Sequence, residues 1–81
     1  GAKTELMAAA ENRLESVQAR PYAQIRPGIE QDTLSVRGKR YIRRVTITAP
    51  NTRTRQITID LRTPSGTGGL SYSALTYVSA P

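Results

Sequence analysis

Residues 41–62 read YIRRVTITAPNTRTRQITIDLR, and their period decides the fold. Val45, Ile47 and Ala49 alternate with Arg44, Thr46 and Thr48. Beyond Pro50-Asn51-Thr52, Ile57, Ile59 and Leu61 alternate with Gln56, Thr58, Asp60 and Arg62. A period of two marks a strand with one dry face and one wet face. Thr and Ile are enriched, as β-structure prefers. Two such runs joined by a tight turn form an antiparallel hairpin, because a short connection leaves no room for a parallel crossover.

The same period extends both ways. Upstream, residues 33–37 (TLSVR) alternate through Leu34 and Val36, and Gly38-Lys39 marks a turn. Downstream, residues 63–69 (TPSGTGG) read as a loop and residues 70–78 (LSYSALTYV) as a last strand. The apolar phase of that strand slips around Ala74, from Leu70/Tyr72 to Leu75/Tyr77, which predicts a bulge. Four sequential strands make a meander whose dry face carries Leu34, Val36, Val45, Ile47, Ile57, Ile59 and Leu61. That face needs a cover.

Residues 3–20 (KTELMAAAENRLESVQAR) supply it. Leu6, Met7, Ala10, Leu14 and Val17 share one side at helical spacing, and Glu11, Asn12, Glu15 and Ser16 share the other. Pro21 ends the helix, since the residue before a proline is pushed out of the helical region. Arg20 falls in the last turn, where a cation suits the helix dipole. Residues 21–32 (PYAQIRPGIEQD), with two prolines and a Pro-Gly step, read as a connecting loop. The expected fold is α+β. One amphipathic helix (3–20), a connector (21–32) and a four-stranded antiparallel meander (33–79) form a single domain, with Leu6, Ala10, Leu14 and Val17 packing helix on sheet.

Composition narrows the chemistry. The chain has 81 residues, 12 Lys and Arg, 6 Asp and Glu, no His and no Cys. Thiol chemistry, the usual zinc sites and histidine acid–base catalysis are excluded. No apolar run approaches the roughly 18 residues of a membrane span, and no signal-peptide pattern is present. Asp60 lies on a wet strand face among Thr and Arg and reads as a salt-bridge partner. Glu11 and Glu15, one helical turn apart, read as a solvated face. Ser and Thr abound without a base to activate them. Gly66-Thr67-Gly68-Gly69 leads into a strand rather than a helix, so it does not make a phosphate loop. No enzyme, cofactor or metal is expected.

The net charge of +6 is unevenly placed. Residues 1–32 sum to −1, residues 33–62 hold eight basic side chains against Asp60 alone, and residues 63–81 carry no charge. Arg37, Lys39, Arg40, Arg43 and Arg44 surround the first hairpin, and Arg53 and Arg55 flank the second turn. These seven are candidate contacts to DNA or to an acidic partner. With no Phe or Trp, and only Tyr41 inside the cluster, base stacking is poorly supplied.

AAAENRLESVQARPYAQI, followed by YIRRVTITA and RQITIDL, resembles the soluble part of type IV pilin-like proteins, above all minor pilins and the minor pseudopilins of type II secretion. The resemblance spans about residues 5–62. It implies a pilin-like fold whose helix continues a membrane-spanning half absent from this sequence. It further implies a structural subunit of a pilus-like filament serving pilus biogenesis, adhesion, secretion or DNA uptake. The expected partners are other pilin or pseudopilin subunits, with Glu11 and Glu15 as candidate subunit contacts, and DNA. The expected location is the bacterial cell envelope, on the outer side of the inner membrane or on a surface pilus. Glu5 does not match the family's buried glutamate, because polar residues follow it closely. The disulfide common in pilins has no cysteines here, and the loop carboxylates of a pseudopilin calcium site are missing. The alternative reading is a free-standing basic nucleic-acid-binding module.

Overall fold

The computed structural model describes residues 1–64 and 70–81. Helix α1 spans Ala2–Gln18, and a single 3-10 turn, Tyr22–Gln24, follows it. Four strands come next: β1 (Gly28–Val36), β2 (Lys39–Asn51), β3 (Thr54–Arg62) and β4 (Tyr72–Ser79). They form one antiparallel sheet in the order β1-β2-β3-β4.

The pilin-like α+β class expected from the sequence does not stand. What is present is a 17-residue helix beside a four-stranded antiparallel sheet. That arrangement is compatible with α+β and is not specific to pilins, because any short chain with this pattern must lay its one apolar stripe on the dry side of its sheet. The connecting loop expected over residues 21–32 is strand from Gly28 onward. Gly28–Val36 pairs residue by residue with Lys39–Ile47.

The reason lies in Glu30 and Asp32. Both occupy helix-side positions of β1, in register with Val45 and Arg43. Arg13 and Arg20 reach Glu30, and Arg43 grips Asp32, so charges that read as loop become partly exposed ion pairs that tie β1 to the helix end and to β2. Gly28 starts the strand at φ +155, a backbone region that L side chains rarely adopt.

Other boundaries moved as well. The helix stops at Gln18, so Arg20 lies beyond its last turn and serves Glu30 instead. The first turn is Arg37-Gly38, with both residues at positive φ (52 and 78), as a two-residue type I′ hairpin requires. Pro50 sits within β2, where the register shifts between Thr48 and Asn51. A proline fits there because the bulge leaves a position without a ladder bond. Asn51 then caps the second turn, its side-chain oxygen accepting from the Arg53 amide at 2.9 Å.

The bulge expected at Ala74 is absent. β4 runs in unbroken register with β3, from Leu61↔Tyr72 to Thr54↔Ser79. The phase slip has another cause. Tyr72, Ala74, Thr76 and Val78 point to the helix side, while Leu75 and Tyr77 point the other way, so both faces of β4 carry apolar groups. The loop expectation over 63–69 lies, from residue 65 to 69, outside the described residues.

The core lies between α1 and the sheet. Leu6, Ala10 and Val17 of the helix are fully buried, with Ile57, Ile59, Leu61, Val45, Ile47 and Tyr41 of the strands and Ile25 of the connector. Leu14 is only half-buried. Burying each large aliphatic side chain contributes about 1.5–3 kcal/mol. Polar clasps fix the orientation. Arg37 Nε donates to Glu5 at 2.8 Å, Arg43 Nη1 to the Ala9 carbonyl at 3.3 Å, and Gln18 Nε2 to Thr76 Oγ1 at 3.1 Å.

Candidate functional site

The seven basic residues singled out by the sequence do not form one site. Strand alternation and hairpin geometry divide them between two faces and two ends.

Three of them hold the fold together. Arg43 points to the helix side and grips Asp32 with two donors, Nε at 3.0 Å and Nη2, while reaching the Ala9 carbonyl. This clasp raises Arg43 and lowers Asp32 from their ordinary pKa values, with the hydrogen bond as the larger cause and the opposite charge adding to it. Arg55 donates to the carbonyls of Ile25 (2.9 Å) and Thr54 (3.1 Å), and its guanidinium stacks 4.8 Å from the Tyr22 ring centre. Arg37 is paired with Glu5.

Arg40 and Arg44 take the opposite side of β2, the face that no helix covers. Arg62 joins them from β3, in register with Ile42 between them. Among the described residues none of the three makes an ion pair with a carboxylate; Arg44 Nε donates only to Gln31 at 3.1 Å. Lys39 lies at the same end of the sheet, while Arg53 sits in the β2–β3 turn at the other end.

Asp60 is register partner to Arg44 on this open face, yet its carboxylate accepts from Ser73 Oγ rather than forming an ion pair. A row Gln31–Arg44–Asp60–Ser73 thus crosses all four strands. Beside it lies an open depression of about 250 Å³, lined by Ile42, Arg44, Asp60, Leu61, Arg62, Ser71 and Ser73. Its walls offer guanidinium and hydroxyl donors around one carboxylate. They suit an anion.

Toward the other end the open face turns apolar and hydroxylic. Leu75 is 52% exposed, Tyr77 58% and Ile29 66%. Leu75 and Tyr77 belong to β4, an edge strand. That edge was not among the residues the sequence singled out. The signal was available in the absence of any charge from residue 63 to 81.

The two edges differ. β1 carries Glu30 and Asp32 and enters through a glycine at positive φ. Inward-pointing charges of this kind blunt an edge against pairing. β4 has no charge, no proline and no register shift. The Ala80 amide donates to the Arg53 carbonyl at 2.7 Å, so residue 80 turns its backbone toward β3. Alternation then turns the N–H and C=O of Ser73, Leu75, Tyr77 and Ser79 away from β3, toward the open side.

Glu11 and Glu15 both lie on the exposed side of α1. Glu11 accepts from the Tyr72 hydroxyl at 3.3 Å. Desolvation raises Tyr72 above its ordinary pKa, and the Glu11 charge and hydrogen bond push the same way. No helix among the described residues is long and apolar enough to cross a membrane.

Comparison with known proteins gives no match: no family model, no curated protein and no solved structure aligns with the chain.

Proposed function

We propose that this chain is a structural subunit that works by joining other subunits through the β4 side of its sheet. The observation that supports the reading is an uncharged, regular edge strand with two large side chains exposed beside it, in a chain whose other edge is charged. Natural sheets blunt such edges unless something pairs with them. The narrower form, a minor pilin or pseudopilin of a type IV pilus-like filament in the bacterial cell envelope, draws on the sequence resemblance alone. The test uses the lack of native cysteine. Ser79→Cys in the producing cell, labelled with a maleimide–benzophenone and irradiated, yields higher-mass adducts, whereas Arg26→Cys does not. Absence of any adduct at Ser79 overturns the reading.

A second reading rests on a separate observation. Arg40, Arg44 and Arg62 share the open face without carboxylate partners among the described residues. Such a face suits a polyanion, whether a nucleic acid or an acidic protein. A single-stranded DNA titration at low salt checks it, with binding weakening steeply as salt rises.

A further inference from the structure

We infer that the partner at the β4 edge is a second copy of this chain, joined strand to strand about a two-fold axis through Thr76. The inference rests on the assembly reading above and names its occupant.

Ser73, Leu75, Tyr77 and Ser79 present the outward N–H and C=O groups, and all four put their side chains on the open face. A two-fold axis perpendicular to the sheet brings a second β4 alongside in antiparallel sense. With the axis at Thr76, Ser73 meets Ser79 of the other copy and Leu75 meets Tyr77, and the reverse pairs repeat by symmetry. Every outward residue of the strand then has an outward partner. Four such pairs exchange about eight backbone hydrogen bonds. A shift by two residues leaves at least one of the four unmatched, and a shift by one sets outward groups against inward ones.

Side chains agree with this register. Leu75 and Tyr77, the two most exposed large side chains of β4, become an aliphatic–aromatic cross-strand pair on each side of the axis. Ser73 and Ser79 pair hydroxyl with hydroxyl at the ends. On the helix side Thr76 faces its own copy and Ala74 faces Val78, small against medium. A homophilic contact must also tolerate a net charge of +6 on each partner. β4 meets that demand, since residues 63–81 carry no charge and the basic strands lie behind β3. The joined product is a continuous eight-stranded antiparallel sheet whose two outer edges are the charged β1 strands.

The geometry gives a position-specific test. Thr76 opposite Thr76 is a pair without mutual hydrogen bonds, whose Cα atoms lie about 4.5 Å apart, within disulfide range. Val78 opposes Ala74, so two Val78 residues lie about 13 Å apart and cannot be bridged. Purified Thr76→Cys and Val78→Cys chains are oxidised side by side. The expected result is a disulfide-linked dimer from Thr76→Cys and at least a tenfold slower reaction from Val78→Cys. Wild-type sedimentation equilibrium, from roughly 10 µM to roughly 1 mM, accompanies it and needs no cysteine. It is expected to show a monomer–dimer equilibrium that Leu75→Lys shifts to monomer.

Equal cross-linking at both positions overturns the proposal, as does a wild-type chain that stays monomeric throughout. A monomeric purified chain whose Ser79→Cys variant still forms adducts with a different protein in cells overturns self-pairing and leaves the assembly reading standing. Absence of both overturns the two together.

Discussion

Glu30→Gln isolates the clasp that ties the helix end of the molecule to the β1 edge. The wild-type carboxylate accepts from Arg13 Nη2 at 2.9 Å, Arg20 Nη1 at 2.7 Å and Arg20 Nη2 at 2.9 Å. The amide keeps the shape, loses the charge and retains one acceptor oxygen. Two guanidiniums are then left converging without an anion, and Arg13 Nε is already buried without a partner. Hydrogen bonds to a charged group contribute about 1.5–3 kcal/mol each when shielded. The Glu30 side chain is 38% exposed, so solvent screens much of that. The expected net loss is about 1–2 kcal/mol, or a Tm fall of roughly 5–15 °C for a domain of this size. Thermal unfolding followed by circular dichroism at neutral pH measures it.

The pH dependence supplies a second arm. Glu30 is held below the ordinary carboxylate range, first by its hydrogen bond from Arg20, against opposing desolvation. A carboxyl lowered in the folded state stabilises the fold above its unfolded pKa of about 4.3. That contribution disappears as pH falls through the lower folded value. The wild-type and Glu30→Gln melting temperatures therefore converge on acidification below about pH 4. Both proteins keep losing stability there, because Asp32 is lowered by Arg43 in the same way. Melting temperatures within about 1 °C of each other at neutral pH would refute the reasoning, as would a gap that persists unchanged in acid.

Further expectations follow from single contacts. Leu6→Ala empties a fully buried site beneath α1 and lowers stability by about 2–5 kcal/mol, read from urea denaturation midpoints. The double variant Arg44→Glu/Arg62→Glu weakens single-stranded DNA binding at low salt at least about tenfold with little change in Tm, whereas Arg43→Gln lowers Tm and leaves the DNA titration in place. Raising salt from about 50 mM to about 500 mM tightens the β4–β4 dimer of two like-charged chains in sedimentation, while loosening any polyanion complex.

The interior of the sheet was legible because alternation reports burial directly. Val45, Ile47, Ile57, Ile59 and Leu61 each stand at two-residue spacing, and all five are buried against the helix. β1 was not legible upstream of Thr33. Glu30 and Asp32 look like loop residues until Arg13, Arg20 and Arg43 are placed opposite them, and that placement is tertiary. The basic cluster misled for the same reason. Alternation already sets Arg44 on the wet face and Arg43 in phase with Val45, but a linear run cannot say that Asp32 and the Ala9 carbonyl hold Arg43 there. Against a single dry face the last strand reads as bulged, whereas Leu75 and Tyr77 put apolar groups on the second. Its lack of charge was plainly visible, but it gained meaning only once β4 lay at the edge of the sheet.

Amide hydrogen exchange along β4, measured residue by residue at low and high protein concentration, tests edge pairing most directly. Outward amides of Ser73, Leu75, Tyr77 and Ser79 are expected to exchange fast in dilute solution and slowly in concentrated solution. Ala74, Thr76 and Val78, turned toward β3, stay protected in both, and β1 shows no concentration dependence. Leu75 and Tyr77 amides that exchange equally fast at every concentration would contradict the account.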